Sequence, residues 1–285
     1  IALGVGVMLL SLFVIMGFKQ EITEKLSGFT AHLNVVPHVY SSVEEQEGLQ
    51  NAEKLKHALK QLTGIKSVYG YIEKPAIFKN KEEIHGVVLK GVDRDCDIAF
   101  FNQNLKKGNL PDFKTDQVSN EILISASVAS MLGVDLEDKV AAYFVQEPPR
   151  ARVFTVVGIY DTGFKEYDDV MVLVDKRHLS KLNGWNAEWV SGIAIELDDI
   201  EQLAEVTESV EHVVYETDED NEVRTLVDVA PQIFDWLALL NMNVWVILIL
   251  IITVAGFNMV SGLLVLILDK TTLIVILKAL GCKNV

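Results

Sequence analysis

The side chains able to do chemistry are few and poorly grouped. Six histidines, His32, His38, His57, His85, His178 and His212, are scattered without the short spacings that bring two ligands to one metal ion. Cys96 and Cys282 are the only cysteines and offer neither a thiolate metal motif nor a disulfide framework. Ser125 and Ser127 in ISASVAS lack a GxSxG elbow and read as helix-capping residues rather than nucleophiles. Glu216, Asp218, Glu219, Asp220 and Glu222 could offer oxygens to calcium, but their spacing is not that of an EF-hand, and they read as a solvated loop. No GxxxxGK[ST], no GxGxxG in a βαβ context and no HExxH is present, so nucleotide binding and zinc hydrolysis lack their usual supports. The expectation is a non-enzyme with no catalytic residue, metal or cofactor of its own.

What the chain offers instead is apolar length. Of 285 residues 50% are hydrophobic, and the apolar excess lies at the two ends. Val244 to Leu268 is uncharged over about 25 residues, enough to cross a hydrocarbon core of about 30 Å. Ile1 to Phe18 is also uncharged, starts without Met and lacks the basic flank of a signal peptide. We read it as most of a first span in a sequence clipped at both ends. Formal net charge is −15; the four charges from Asp269 onward sum to +2, leaving −17 before them. Nucleic acid is therefore not expected as a partner. Lys270, Lys278 and Lys283 crowd the exit of the second span, which places the termini in the cytoplasm and the acidic middle outside.

Between the spans the pattern is α+β. After Phe18 the first helix continues as an amphipathic stalk to Gly28, which is expected to end it. Ala31 to Val36 reads as a strand, Asn51 to Leu62 as a helix and Ile65 to Ile72 as a strand, a βαβ unit. The pattern returns late, with a strand over Gly192 to Leu197, a helix over Ile200 to Val210 and a short strand over Val213 to Glu216. Two such units around an insertion predict a split sandwich. The insertion is β-rich: Glu83 to Gly91, Glu121 to Ile124, Lys139 to Val145, Val153 to Ile159 and Val170 to Val174 read as strands, with helices over Ala126 to Leu132 and Lys176 to Leu182. The adjacent prolines in QEPPRAR cannot continue a ladder, so Gln146 to Arg152 is a hairpin tip.

From Val223 the chain turns helical, with Pro231 marking a kink or a first turn. A helix from Gln232 to Leu268 would be about 55 Å long, and its surplus over the membrane forms a second stalk tying the outer domain to the spans. Beyond Asp269-Lys270, Thr271 to Gly281 reads as a separate short helix, apolar enough to need a groove on another protein or the bilayer surface. The expected organisation is a first membrane helix and stalk over 1–28, an extracytoplasmic domain over 29–222, a stalk and second span over 223–268, and a cytoplasmic helix over 269–285.

MGFKQEITEKLSGFTAH (Met16 to His32), LKGVD (Leu89 to Asp93), ILISASVASMLGV (Ile122 to Val134), VVGIYDTGFKEYDDVMVLVD (Val156 to Asp175) and DKTTLIVILKALG (Asp269 to Gly281), in this order, carry a family likeness. The chain resembles FtsX/MacB-type permeases of ABC transporters, most closely lipoprotein-releasing Lol-type subunits such as LolC and LolE. The resemblance implies an α+β MacB-like extracytoplasmic domain, with a porter-like part and a β-rich insertion, between two of four membrane helices; the third and fourth would lie beyond this sequence. It implies a bacterial inner-membrane protein that draws on ATP and Mg held by a separate LolD-like ATPase. Thr271, Ile274, Leu277, Lys278 and Leu280 would then contact the ATPase, and Glu147, Pro148, Pro149 and Arg150 would form a hairpin for a LolA-like periplasmic carrier. Val246, Leu250, Met259 and Leu263 would face lipid or the lipoprotein substrate beside a second permease protomer, identical or not. Other readings are an FtsX-like transmitter acting on a cell-wall hydrolase, MacB-like export of a periplasmic substrate, and a membrane-anchored sensor without a motor.

Overall fold

A computed structural model describes residues 2–38, 48–80, 83–113, 117–146, 148–186 and 188–280. In chain order its elements are α1 (Ala2–Thr30), β1 (Leu33–Pro37), α2 (Ala52–Leu59), β2 (Ile65–Asn80), β3 (Glu83–Val92), α3 (Ala99–Gln103), β4 (Leu105–Gly108), β5 (Glu121–Ser125), α4 (Ala126–Leu132) and β6 (Lys139–Phe144). There follow β7 (Arg150–Tyr160), α5 (Lys165–Asp168), β8 (Met171–Asp175), α6 (Lys176–Asn183), β9 (Gly192–Leu197), a 3₁₀ turn (Ile200–Gln202), α7 (Leu203–Thr217), β10 (Asn221–Thr225), α8 (Leu226–Val229) and α9 (Pro231–Ala279). The chain divides into two units, Ile1–Ile22 with Pro231–Val285, and Thr23–Ala230.

In the second unit the strand order begins β10-β1-β9-β2, every neighbouring pair antiparallel. β1 and β2 therefore run parallel with β9 between them, and β9 and β10 run parallel with β1 between them. The two βαβ units are each split by a strand of the other. α2 buries Leu55 and Leu59, and α7 buries Val206, Val210 and Val214. That i, i+4, i+8 stripe carries α7 through Val213 to Glu216, where a strand is expected from the sequence. β-branched residues at helical spacing pack as a helix once a sheet lies beneath them. The closing strand is β10, placed five residues later.

β2 runs past the split sandwich. Its first half pairs with β9 and its second, from Ile72, with β3. From there the inserted strands close on themselves: β3 pairs with β8, β8 with β5, β5 with β7, β7 with β6, and β6 returns to β2. Closure removes the free edges that an open sheet of this size would expose. Phe78, Leu89, Ile122, Phe144, Phe154 and Val172 are buried in the main core. Ser125 and Asp175 cap α4 and α6, and Gly133 and Gly184 follow these helices with left-handed φ of 61° and 69°. An L side chain is strained at that backbone angle, so each glycine ends its helix cleanly.

In the first unit, the Phe18 ring of α1 meets the Trp236 ring of α9 edge-on at 5.5 Å. α9 begins at Pro231, whose missing N–H is no loss in a first turn, and continues without a break to Ala279. The expected separate helix after Asp269-Lys270 is thus the end of the same helix. Neither Asp nor Lys breaks a helix, and the two threonines that follow cost only a few tenths of a kcal/mol each, less than a break would. At 49 residues α9 is about 74 Å long. Among the described residues one helix is long and apolar enough to cross a membrane, the Pro231–Thr271 stretch of α9.

Candidate functional site

A dense set of hydrogen bonds and ring contacts surrounds the end of α1. Gly28 does not end the helix; it lies inside it, and Ala31 ends it with a left-handed φ of 63°. Gly28 serves close approach instead: a Cβ there would lie 2.3–2.5 Å from three atoms of the Phe100 ring. The last carbonyls of a helix have no partner within it and carry the negative end of its dipole. Here the fold supplies the partners. Lys90 Nζ of β3 donates to the Phe29 carbonyl at 2.5 Å, Asn34 Nδ2 of β1 donates to the Thr30 carbonyl at 2.7 Å, and the Ala31 N–H donates to the Ser27 carbonyl at 2.7 Å. Lys90 and Asn34 are both buried. The Lys90 ammonium also stands 4.8 Å from the centre of the Tyr71 ring and 3.9 Å from the Glu73 carboxylate.

Phe29 is buried and forms the centre of a second core. It stacks on Tyr167 at 4.9 Å, meets Phe100 and Phe101 edge-on at 5.2 and 5.7 Å, and lies 6.1 Å from Tyr160. Aromatic pairs at these separations add attraction beyond the area they bury. The surrounding rings are held in turn. Tyr160 OH donates to the Met171 carbonyl at 2.8 Å, and burial holds its pKa well above the usual phenol range. The Tyr167 phenol is pushed up to about 12, chiefly by burial and then by Glu73 and Glu166. Buried Asp168 accepts from the Thr162 N–H and hydroxyl at 3.2 and 2.9 Å, which fixes the turn that leads to Phe164 and Tyr167. Burial raises its carboxyl pKa despite those bonds. Ser125 Oγ accepts from the Val128 N–H as a helix cap and donates to the Asp168 carbonyl, so its hydroxyl is committed to structure. Ser127 is no cap; it lies inside α4 and donates to Asp169 Oδ1 at 2.5 Å. Segments containing Gly28-Phe29, Lys90, Ser125 and Tyr160-to-Tyr167, four of the five on which the family likeness rests, meet here.

Sequence reasoning missed Phe29, Lys90 and Asn34. A signal was present in GVVLKGV, where one lysine sits in an apolar strand at a position that alternation alone sends to solvent.

The expected hairpin exists between β6 and β7, but its tip is shorter than Gln146 to Arg152, because Arg150, Ala151 and Arg152 already pair with Phe144, Tyr143 and Ala142. Pro148, Pro149 and Arg150 are exposed, and Glu147 lies outside the described residues. Arg150 is tied back: its Nη1 donates to the carbonyls of Lys181 and Leu182 at 3.3 and 3.4 Å, at the C-terminal end of α6. Beside the tip, the outer face of β3, β2, β6 and β7 is apolar and open. Ile77 stands opposite Tyr143, and Val153 opposite Ala141, with Ile84 and Val145 further along the same face. All but Ala141 are exposed, Val145 by 86%.

Val246, Leu250, Met259 and Leu263 are all exposed on α9. At about 100° per residue, the first two lie on the opposite side of the helix from the last two, so one surface cannot contain all four. Thr271 and Leu280 are exposed, and the side chains of Ile274, Leu277 and Lys278 lie outside those described. Among the described residues no three His, Cys, Asp or Glu side chains are grouped so as to hold a metal ion.

Fold and site together define an α+β domain, built as a split βαβ sandwich with an inserted strand ring. Residues 1–213 match the MacB-like periplasmic core domain, and the chain belongs to that family. It is 26% identical, over 99% of its own length and 67% of the relative's, to the lipoprotein-releasing system transmembrane protein LolC of Xylella fastidiosa strain Temecula1. To LolC of Neisseria meningitidis serogroup B it is 28% identical over the same shares. Among solved structures, the extracellular domain of the noncanonic ABC-type transporter YknZ from Gram-positive bacteria aligns with 68% of this chain and 99% of its own, at 17% identity and a TM-score of 0.47. The periplasmic region of MacB from Actinobacillus actinomycetemcomitans aligns with 74% and 96%, at 15% identity and a TM-score of 0.48.

Proposed function

We propose that the chain is the transmembrane permease subunit of an ABC system that releases lipoproteins from the bacterial inner membrane for a periplasmic carrier. The observation that carries this reading is a match over nearly the whole chain to transmembrane proteins named for lipoprotein release. The split sandwich and ring would stand in the periplasm. The family's periplasmic core and the long apolar stretch of α9 support that arrangement. ATP and Mg would bind a separate ATPase. The end of α9, with Thr271, Ile274, Leu277, Lys278 and Leu280, is the segment we assign to contact with it. A second permease protomer would complete the membrane cavity, with Val246 and Leu250 or Met259 and Leu263 toward lipid or substrate. The hairpin at Pro148-Pro149, with the open apolar face beside it, is the surface we assign to a LolA-like carrier.

The experiment is affinity purification of the full-length parent protein from membranes in mild detergent, comparing wild type with Leu277→Asp. Expected is an ABC ATPase together with acylated lipoproteins from wild type, and loss of the ATPase from the variant. Wild type free of any ATPase would end the reading. For the hairpin, a LolA-like carrier should be captured by wild type and lost from the Pro148→Ala/Pro149→Ala variant; equal capture by both removes these residues from the assignment.

A further inference from the structure

We propose that the seat of Phe29 is a force-bearing latch: it joins the last turn of α1 to the inserted strand ring, so that movement of α1 is delivered to the ring. The inference rests on the permease reading above for the source of that movement. Helix ends normally fray, because their last carbonyls have only water as partner. A frayed end would absorb a pull or twist by local unwinding.

This end is closed in three independent ways. Its carbonyls are bonded by Lys90, Asn34 and the Ala31 N–H. Its terminal ring is gripped on several sides by Phe100, Phe101, Tyr160 and Tyr167. Gly28 lets the Phe100 ring lie flush against the helix backbone, where any side chain would hold it off. The clasp has a direction. Lys90 belongs to β3, Phe100 and Phe101 to α3, Tyr160 to β7 and Tyr167 to α5, all within the insertion. Asn34 comes from the split sandwich that α1 leads into along the chain, and Ala31, just past the helix, packs against Tyr69, Tyr71 and Ala194 of that sandwich. The grip on the Phe29 ring is thus made by the insertion, 61 residues or more along the chain, rather than by the strand that α1 runs into, which helix-end capping by itself does not require. Neither the hydroxyl of Ser125 nor the phenol of Tyr160 is left over for another task at this place, since both are spent on backbone carbonyls.

The test uses the full-length protein assembled with its ATPase in lipid bilayers, comparing wild type with Lys90→Met and Phe29→Leu. Three quantities are read per assembled complex: ATP hydrolysis, release of an acylated lipoprotein, and amide hydrogen exchange over residues 26–31. Expected is hydrolysis within about twofold of wild type, release lower by about tenfold or more, and faster exchange at the helix end. Loosened exchange with undiminished release would overturn the latch. So would a fall in hydrolysis and release by the same factor, which is what loss of folded protein alone produces. If wild type itself releases no lipoprotein, the permease reading falls instead, and the latch is judged by exchange alone, where unchanged protection in both variants sinks it.

Discussion

Lys90→Met tests whether the buried ammonium holds the end of α1 or merely accompanies it. Methionine keeps the length and apolar stem of the side chain and removes the donor. The Phe29 carbonyl, in a residue only 1% exposed, then has no replacement partner from water. Leaving such a group unpaired costs about 1–3 kcal/mol. Loss of a cation at the helix C-terminus adds about 0.3–1 kcal/mol. Against this, folding no longer has to strip water from an ammonium that is 3% exposed, which returns part of the loss. The net expectation is about 2 kcal/mol of destabilisation. For a domain of about 200 residues that corresponds to a fall in Tm of about 4–8 °C. The assay is thermal unfolding of the purified protein in detergent, followed by near-ultraviolet circular dichroism of the clustered tyrosines. A Tm equal to or above that of wild type would refute the reasoning, because desolvating the ammonium would then cost at least as much as its bonds return.

Three further outcomes follow from the same geometry. Gly28→Ala, a change that stabilises an ordinary helix by about 1 kcal/mol, should here destabilise by about 1–3 kcal/mol because the new methyl meets the Phe100 ring; a rise in Tm would contradict the close approach. Tyr160→Phe leaves the Met171 carbonyl unpaired inside the second core and should cost about 1–3 kcal/mol, read by urea unfolding, and an unchanged midpoint would show that this bond contributes nothing. Burial lowers the pKa of His178 below its ordinary 6.5, outweighing the Ser119 carbonyl and Asp175, and burial with Lys66 does the same to His32. The unfolded chain therefore takes up these protons first, so their contribution is complete above about pH 6.5 and declines as pH falls toward the folded-state values. His178→Gln keeps a donor for the Ser119 carbonyl and should flatten the slope of stability between about pH 6.5 and 5; a slope equal to that of wild type would remove His178 from the account.

The strands and helices of the domain were legible wherever one face of an element repeats at a fixed period. Leu55 and Leu59 in α2 and the alternation in β6 are such cases, and the hairpin was legible from Pro148-Pro149. Local periodicity fails where a residue's partner is distant. Val213 to Glu216 has strand composition, and only the surface beneath Val206, Val210 and Val214 makes it helix. The same is true of the break expected at Asp269-Lys270, where charge in the sequence marks a change of surroundings and leaves the backbone helical.

The sequence by itself determined the acidic α+β middle, the long apolar helix near its end and the family to which the chain belongs, because composition, periodicity and segment order are properties of the chain alone. Tertiary structure decided the rest. It turned Gly28 from a helix end into a contact surface, took Lys90 from an apparently outward strand position into a buried bond with Phe29, and closed the inserted strands into a ring. Each of these depends on residues tens of positions apart meeting in space, and the energy of burying a charge or a ring is set by those neighbours rather than by the residue's own sequence surroundings.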